Sequence, residues 1–273
     1  MNHHFGELGD IWKHLPLAEI LRINPPRHYW ETHAGSASYP LTESLARRHG
    51  VFHFLAHAPA DPVLQQSAYL QTLQELPGIY PGSPLLAMRA LGRQASYIFC
   101  DTDPQSVGSL RDGVAQMTAQ VIEADGVSAV GQMARQSNSK PDQIFVLIDP
   151  FLPNKRVTPE SQTPLELAAD LAAAGYRLMF WYAYFEREQR GWARSAIAHL
   201  APGIELWCGD AIMPITFCYP DRSGLFGCGI VLANASLGEI DSCLRLGQAL
   251  ERICRSDVVP ANDPTHMTFQ VLR

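Results

Sequence analysis

The residues best placed for chemistry in this chain stand directly behind short apolar runs. Thr32-His33-Ala34-Gly35 follows residues 27–31, and Asp101 closes the run 96–100. Asp125-Gly126 comes just after residues 120–123, and Asp149-Pro150 directly follows residues 143–148. If those runs are parallel strands of an open α/β sheet, all four groups lie at its carboxyl edge, where such sheets bind ligands. A glycine turn at Gly35 lets a ligand approach the backbone closely. Asp101 can accept hydrogen bonds from both ribose hydroxyls, and Asp125 can accept one from an adenine amine. The set suits an adenosine ligand, although each acid alone could equally be a helix N-cap, as Asp103 and Asp125 can. Neither GxGxxG nor GxxxxGK[ST] occurs, so neither a dinucleotide fingerprint nor a P-loop is read.

The elements that must hold these residues alternate. Strands are expected at 27–32, 96–101, 120–123, 143–148, 177–184, 204–208 and 228–233, with one more short run at 267–272. Helices are expected from about 104, over 163–174 and 186–200, and over 237–255. Strands alternating with helices imply a mostly parallel sheet covered on both faces. The runs are continuous rather than alternating, as buried parallel strands are. Residues 41–91 read helical throughout, punctuated by Pro59, Pro62, Pro77 and Pro81, and are taken as an insertion over the sheet edge or the pocket. The polar loop 155–163 behind the fourth strand is a candidate lid.

Composition narrows the class. The chain has 273 residues, long enough for one large domain, with 47% hydrophobic residues. Lys and Arg number 21 against 27 Asp and Glu, a net charge of −6, which argues against a broad phosphate-gripping face. No run of 18 apolar residues and no secretory leader is present, so a cytoplasmic protein without membrane contact is expected. The six cysteines form no CxxC pair, and the ten histidines fall in no zinc spacing, so reduced thiols and no metal site are expected.

Several stretches also resemble one family. His4-Phe5-Gly6-Glu7-Leu8-Gly9-Asp10-Ile11-Trp12-Lys13-His14 is similar to the N-terminal His-Ala-Gly-Asn-x-x-Asp-x-x-Lys-His signature of the RlmJ-type 23S ribosomal RNA adenine-N6 methyltransferases. Thr32-His33-Ala34-Gly35, with Glu31 in place of an Asp, resembles their first strand end. Tyr80-Pro81-Gly82-Ser83-Pro84 resembles their insertion motif, and Ala124-Asp125-Gly126 and Leu147-Ile148-Asp149-Pro150 the later strand ends. The resemblance implies a Rossmann-like class I methyltransferase fold: a mostly parallel seven-stranded sheet, an N-terminal helical segment and a helical insertion at 41–92 within one domain spanning 1–273. It implies S-adenosylmethionine (SAM) as cofactor. Its binding set, carried over, is His14, His33, Ser83, Asp101, Asp125, Gly126 and Asp149, to which Gly35 is added from the turn.

The departures from the family pattern shape the functional expectation. The family's Asp-Pro-Pro-aromatic motif reads Asp149-Pro150-Phe151-Leu152 here, so Leu152 takes the place of the base-stacking ring. Glu7 and Leu8 replace Asn and His, and Asn234-Ala235 replaces a second motif-like stretch. Tyr176, Trp181 and Tyr182, with Phe151, are expected to ring the reaction centre, although core packing is the plain reading of any one of them. Aromatic faces attract cations such as a sulfonium by about 0.5–2 kcal/mol each. With the acidic composition, these features turn the expectation toward a small-molecule substrate and away from tight nucleic-acid binding. The leading expectation is cyclisation of SAM itself to azetidine-2-carboxylate with release of methylthioadenosine, resembling the azetidine-2-carboxylate synthases. In that reading Asp149 orients the amine, and Trp181, Tyr182, Tyr176 and Phe151 surround the sulfonium. A small-molecule methyltransferase, the 23S ribosomal RNA enzyme and a non-catalytic SAM-binding protein are the alternatives.

Overall fold

The computed structural model describes residues 5–150, 152–184, 187–204, 206–214, 225–254 and 269–272. Along the chain the main elements are α1 (Leu8–Ile23), β1 (His28–Glu31), β2 (Ser38–Pro40), α2 (Leu45–Arg47), α3 (His53–His57), α4 (Ala68–Glu75), β3 (Ile79–Pro81), α5 (Ser83–Leu91), β4 (Ser96–Asp101), α6 (Pro104–Gly113), β5 (Thr118–Glu123), α7 (Gly126–Gln136), β6 (Ile144–Ile148), α8 (Pro164–Ala173), β7 (Arg177–Tyr184), α9 (Trp192–Leu200), β8 (Leu206–Pro214), β9 (Leu225–Ala233), α10 (Leu237–Ile253) and β10 (Phe269–Leu272).

The main sheet runs β10-β8-β9-β7-β6-β1-β4-β5. Strands β5, β4, β1, β6 and β7 are mutually parallel. The other end is antiparallel, β9 against both β7 and β8, and β10 against β8. The sheet therefore has eight strands where the resemblance implied seven; the eighth, edge strand β10, is the short run expected at 267–272. The central strand β6 is Ile-Phe-Val-Leu-Ile and is buried at every position, whereas edge strand β5 is nowhere fully buried. That contrast is what two covered faces demand of a middle strand and relax for an outer one.

Side chains alternate between two cores. Tyr29, Phe99, Phe145, Leu147 and Met179 pack with residues of α1, α5 and α10. Trp30, Cys100, Ile148, Phe180 and Tyr182 pack with α7, α8 and α9 on the other face. The helix ends follow local chemistry. Thr163 and Glu166 form a capping box at the start of α8, and Ser236 and Glu239 form another at α10. Gly175, at φ 87°, takes the left-handed turn that ends the α8 segment.

The insertion is not helical throughout. Its end pairs β3 antiparallel with β2, Tyr39 opposite Tyr80, in a separate two-stranded sheet. Three-residue strands carry too little periodicity to be read from sequence, and these two are held by burying both tyrosines. Among the expected helices, 186–200 is helical from Trp192, and 237–255 ends at Ile253.

Candidate active site

Helix α1 is apolar nearly all round and buried on every side; of its sixteen residues only Asp10, Arg22 and Ile23 are not buried. Lys13 and His14 lie inside that buried surface, so their polar atoms must find partners within the protein. Lys13 Nζ reaches Asp149 Oδ2 at 2.6 Å and Asp10 Oδ1 at 3.0 Å. It also sits 5.6 Å from the centre of the Trp181 ring. Burial alone would lower the Lys13 pKa, but the two carboxylates more than offset it and hold the ammonium above its ordinary range. Asp149 Oδ1 accepts no hydrogen bond among the described residues.

Beside this pair, His14 Nδ1 meets the Tyr80 hydroxyl at 2.9 Å, and Tyr69 donates to the same oxygen at 3.2 Å. His14 Nε2 is buried and has no hydrogen-bond partner among the described residues. Burial, helped by the nearby Lys13 charge, pushes the imidazole down to about 3, so it is neutral. Glu31, at the end of β1, is wholly buried. It accepts hydrogen bonds from Ser83 Oγ at 2.5 Å and the Tyr29 hydroxyl at 3.1 Å. Burial pushes its carboxyl up to about 8; the Ser83 bond opposes this and Asp149 adds to it. Near neutrality Glu31 therefore carries a proton. His33 pairs with Thr32 Oγ1 at 2.7 Å, and burial lowers its pKa. His14, His33, Gly35, Ser83, Lys13 and Asp149 line one cavity of about 50 Å³.

The next strands carry the other expected groups. Asp101 Oδ2 accepts the Gly35 N–H at 2.7 Å, and Oδ1 accepts the Asp103 N–H at 2.8 Å. Each oxygen keeps a further lone pair for a ligand hydroxyl. Gly35 has φ 61°, and a Cβ there would lie 2.6 Å from the Tyr39 hydroxyl. A Cβ on Gly126 would fall 1.9 Å from the Thr32 carbonyl oxygen, so only glycine lets the start of α7 close on the end of β1. Asp125 Oδ2 caps α7, accepting from Ser128 N at 3.0 Å and Ser128 Oγ at 2.6 Å. The N-cap reading of Asp125 thus holds, and its other oxygen remains for a ligand. A glycine-tight strand end, a backbone-anchored carboxylate and a buried imidazole nitrogen awaiting a partner fit an adenosine-bearing amino acid such as SAM.

The structure brings most of the expected residues together but not all. His14, His33, Gly35, Ser83 and Asp149 share the cavity, Asp101 anchors Gly35, and Gly126 meets Thr32. Trp181 joins through Lys13. Tyr182 does not: the alternation of β7 turns it to the opposite face, where its hydroxyl donates to the Arg190 carbonyl at 2.5 Å. Tyr176 precedes β7, at the amino edge of the sheet, and donates to the Ala134 carbonyl at 3.1 Å. Phe151 lies outside the described residues. Leu152, at the stacking position, is half exposed. Asn234 is structural, at φ 55°, donating to the Ala172 and Tyr176 carbonyls. The loop 155–163 is tied down by Arg156, which bonds Glu166 and the Ser161 carbonyl. Lys13, Asp10, Glu31, Tyr69 and Tyr80 were not singled out as site residues. The available signal was charge inside apolar stretches, Lys13 within α1 and Glu31 closing β1.

Among the described residues no group of three His, Cys, Asp or Glu could hold a metal ion, and no helix is long and apolar enough to cross a membrane. The family model described as "RsmJ: Ribosomal RNA large subunit methyltransferase D, RlmJ" matches residues 24–238. The Ribosomal RNA large subunit methyltransferase J of Escherichia coli (strain K12) is 26% identical over 253 residues, covering 85% of this chain and 84% of that protein. The crystal structure of protein LPL1258 from Legionella pneumophila str. Philadelphia 1 shares the fold at a TM-score of 0.69, with 18% identity and 98% of both chains covered. These matches overturn the expectation of a small-molecule substrate without nucleic-acid contact. That expectation leaned on net charge, which is a property of the whole surface and does not fix the local field at one face. With more than three quarters of its length matched, the chain belongs to this family of ribosomal RNA large subunit methyltransferases, enzymes that use SAM.

Proposed function

We propose that the protein transfers a methyl group from SAM to the exocyclic amine of an adenine in large-subunit ribosomal RNA. The observation that carries this reading is Asp149. It directly follows central strand β6, its Oδ2 is fixed by Lys13, and its Oδ1 accepts no hydrogen bond among the described residues. A carboxylate held that way can accept a hydrogen bond from an adenine amine and orient it, while the ion pair prevents the group from turning aside. Bound SAM supplies an electrophilic methyl group. Asp101 would hold the ribose hydroxyls, Asp125 the adenine amine, and Gly35 and Gly126 would allow the close backbone approach. His14 Nε2, His33 and Ser83 would face the methionine end within the cavity. Leu152 would give the target base an apolar surface in place of a stacking ring.

The cyclisation expected from the aromatic residues loses its physical support. It needed Tyr176 and Tyr182 around the sulfonium, and one lies at the opposite edge of the sheet while the other faces the opposite core. Trp181 alone of the described rings of that set stands near Asp149 through Lys13.

The test is incubation with methyl-tritiated SAM and unmodified large-subunit ribosomal RNA, followed by nucleoside analysis. Label is expected in N6-methyladenosine. Asp149→Asn should remove that label while leaving SAM affinity within a few fold of wild type. Methylthioadenosine formed from SAM alone, with no labelled RNA, would restore the cyclase.

A further inference from the structure

A second and larger cleft lies away from the carboxyl edge. It opens at the amino edge of the sheet, where β1, β4 and β5 begin with His28, Ser96 and Thr118, and its volume is about 810 Å³. Arg27, Arg93 and Lys140 line it, and no Asp or Glu does. In a chain of net charge −6, that is a local reversal of sign. None of these three cations forms an ion pair among the described residues; Arg93 donates to the neutral Gln116 side chain at 2.6 Å. Asp142, the acid nearest Lys140 in sequence, is exposed and lies outside the lining.

The cleft is built on fixed backbone. The Arg27 N–H donates to the Gln143 carbonyl and the Arg27 carbonyl accepts from the Ser96 N–H, both at 3.0 Å. His28 is bridged on both ring nitrogens, to Ser96 Oγ at 2.7 Å and Ser139 Oγ at 3.1 Å. Around the cations the lining is hydroxyl and amide: Ser96, Ser139, Thr118, Asn138 and Gln143. Arginine, lysine, hydroxyl and amide side chains are the groups that contact nucleic-acid phosphates and fix register without reading sequence.

We propose that this cleft binds the phosphodiester backbone of the RNA substrate. The proposal rests on the ribosomal RNA reading above. The six residues of β4 span roughly 20 Å at about 3.3 Å per residue, so the cleft is too far from Asp101 to serve the target base. It holds a flanking segment and contributes affinity in a sequence-independent way.

The experiment measures RNA affinity against salt by fluorescence anisotropy, using a large-subunit ribosomal RNA fragment and a scrambled RNA of equal length. The variants are Arg27→Gln/Arg93→Gln/Lys140→Gln and the charge-preserving Arg27→Lys/Arg93→Lys/Lys140→Arg. Each lost phosphate contact should remove about 0.7–0.9 from the slope of log K against log salt. The neutral triple variant should therefore show a slope shallower by about 2–3 and at least tenfold weaker binding to both RNAs, with unchanged Tm and SAM affinity. The charge-preserving variant should keep the wild-type slope. Wild-type slope and affinity in the neutral variant, with RNA bound by both, would overturn the cleft and leave the ribosomal RNA reading standing. No RNA binding by wild type would overturn both. Titration with inorganic pyrophosphate separates the sources: pyrophosphate binding lost in the neutral variant while RNA binding is unchanged would make this a small-anion site and overturn the proposal.

Discussion

Lys13 Nζ on α1 and Asp149 Oδ2 behind β6 lie 2.6 Å apart although 136 residues separate them in sequence. Their side chains are 10% and 14% exposed. This contact fastens the N-terminal helix over the carboxyl edge of the sheet and aims the carboxylate at the same time. Removing one member of a largely buried pair leaves the other charge uncompensated, at a cost of about 3–5 kcal/mol in fully buried cases. Lys13→Met should thus destabilise the protein by about 3 kcal/mol in urea unfolding. Lys13→Met/Asp149→Leu should recover more than half of that loss while remaining inactive. A Lys13→Met variant of wild-type stability would show that the pair carries no structural weight.

The buried Glu31 and His14 give the stability a distinctive pH profile. The Glu31 carboxyl is raised to about 8, so the folded state holds a proton that the unfolded chain has released above about 4.5. Stability from this group is full below that value and is lost as pH rises toward 8. His14 is depressed to about 3, so the unfolded chain binds the extra proton between 3 and 6.5. Stability from this group is present above 6.5 and is lost as pH falls toward 3. The two oppose one another between 4.5 and 6.5, and Glu31 acts alone from 6.5 to 8. Urea midpoints should therefore decline from pH 6.5 to 8, and Glu31→Gln should flatten that decline. A decline of unchanged slope in Glu31→Gln would assign it to other groups.

Two glycines should respond in opposite senses to the same substitution. A Cβ at Gly126 meets a backbone oxygen at 1.9 Å, which no side-chain rotation relieves. Gly126→Ala should force α7 away from β1, costing about 1–3 kcal/mol by overpacking, and weaken SAM binding more than tenfold. Gly108 lies inside α6, and a Cβ added there would have no neighbour within 4 Å. Gly108→Ala should stabilise the protein by about 0.5–1 kcal/mol, since alanine restricts the unfolded chain and favours the helix. Thermal melts and SAM titrations of both variants separate the two effects.

How far the chain could be read depended on the kind of signal each element carries. β4 emerges at its observed limits because Ser96 and Asp101 close its apolar run, and β7 emerges because an unbroken apolar run follows Arg177. β2 and β3 carry three residues apiece and exist through the Tyr39 and Tyr80 pairing, which nothing local announces. In the site, acids at strand ends are visible because topology alone carries them to one edge. Lys13 and Glu31 show only as charges in apolar stretches, because their importance comes from partners 136 and 52 residues away. The rings of β7 fall between these cases. Period-2 alternation requires Trp181 and Tyr182 to face opposite ways, but only the packing of α1 on one side and α8 and α9 on the other shows which ring meets Lys13.

Asp101 has two tasks that one substitution can separate. Its carboxylate anchors the Gly35 and Asp103 N–H groups, and under the proposed reading it also holds the ribose hydroxyls of SAM. Asp101→Asn keeps the side-chain shape and one carbonyl acceptor but replaces the other oxygen by a donor. Hydrogen bonds to charged groups contribute about 1.5–3 kcal/mol each, so losing one should weaken SAM binding by about 10- to 100-fold. Asp101→Glu keeps the charge and can restore a ribose contact through one further methylene, so it should stay within about tenfold of wild type. S-adenosylhomocysteine, which shares the ribose but lacks the sulfonium, should lose affinity in parallel with SAM in Asp101→Asn. Calorimetry showing loss of SAM but not of S-adenosylhomocysteine would place Asp101 near the sulfonium rather than the ribose. Equal and undiminished binding of both would remove it from the cofactor site.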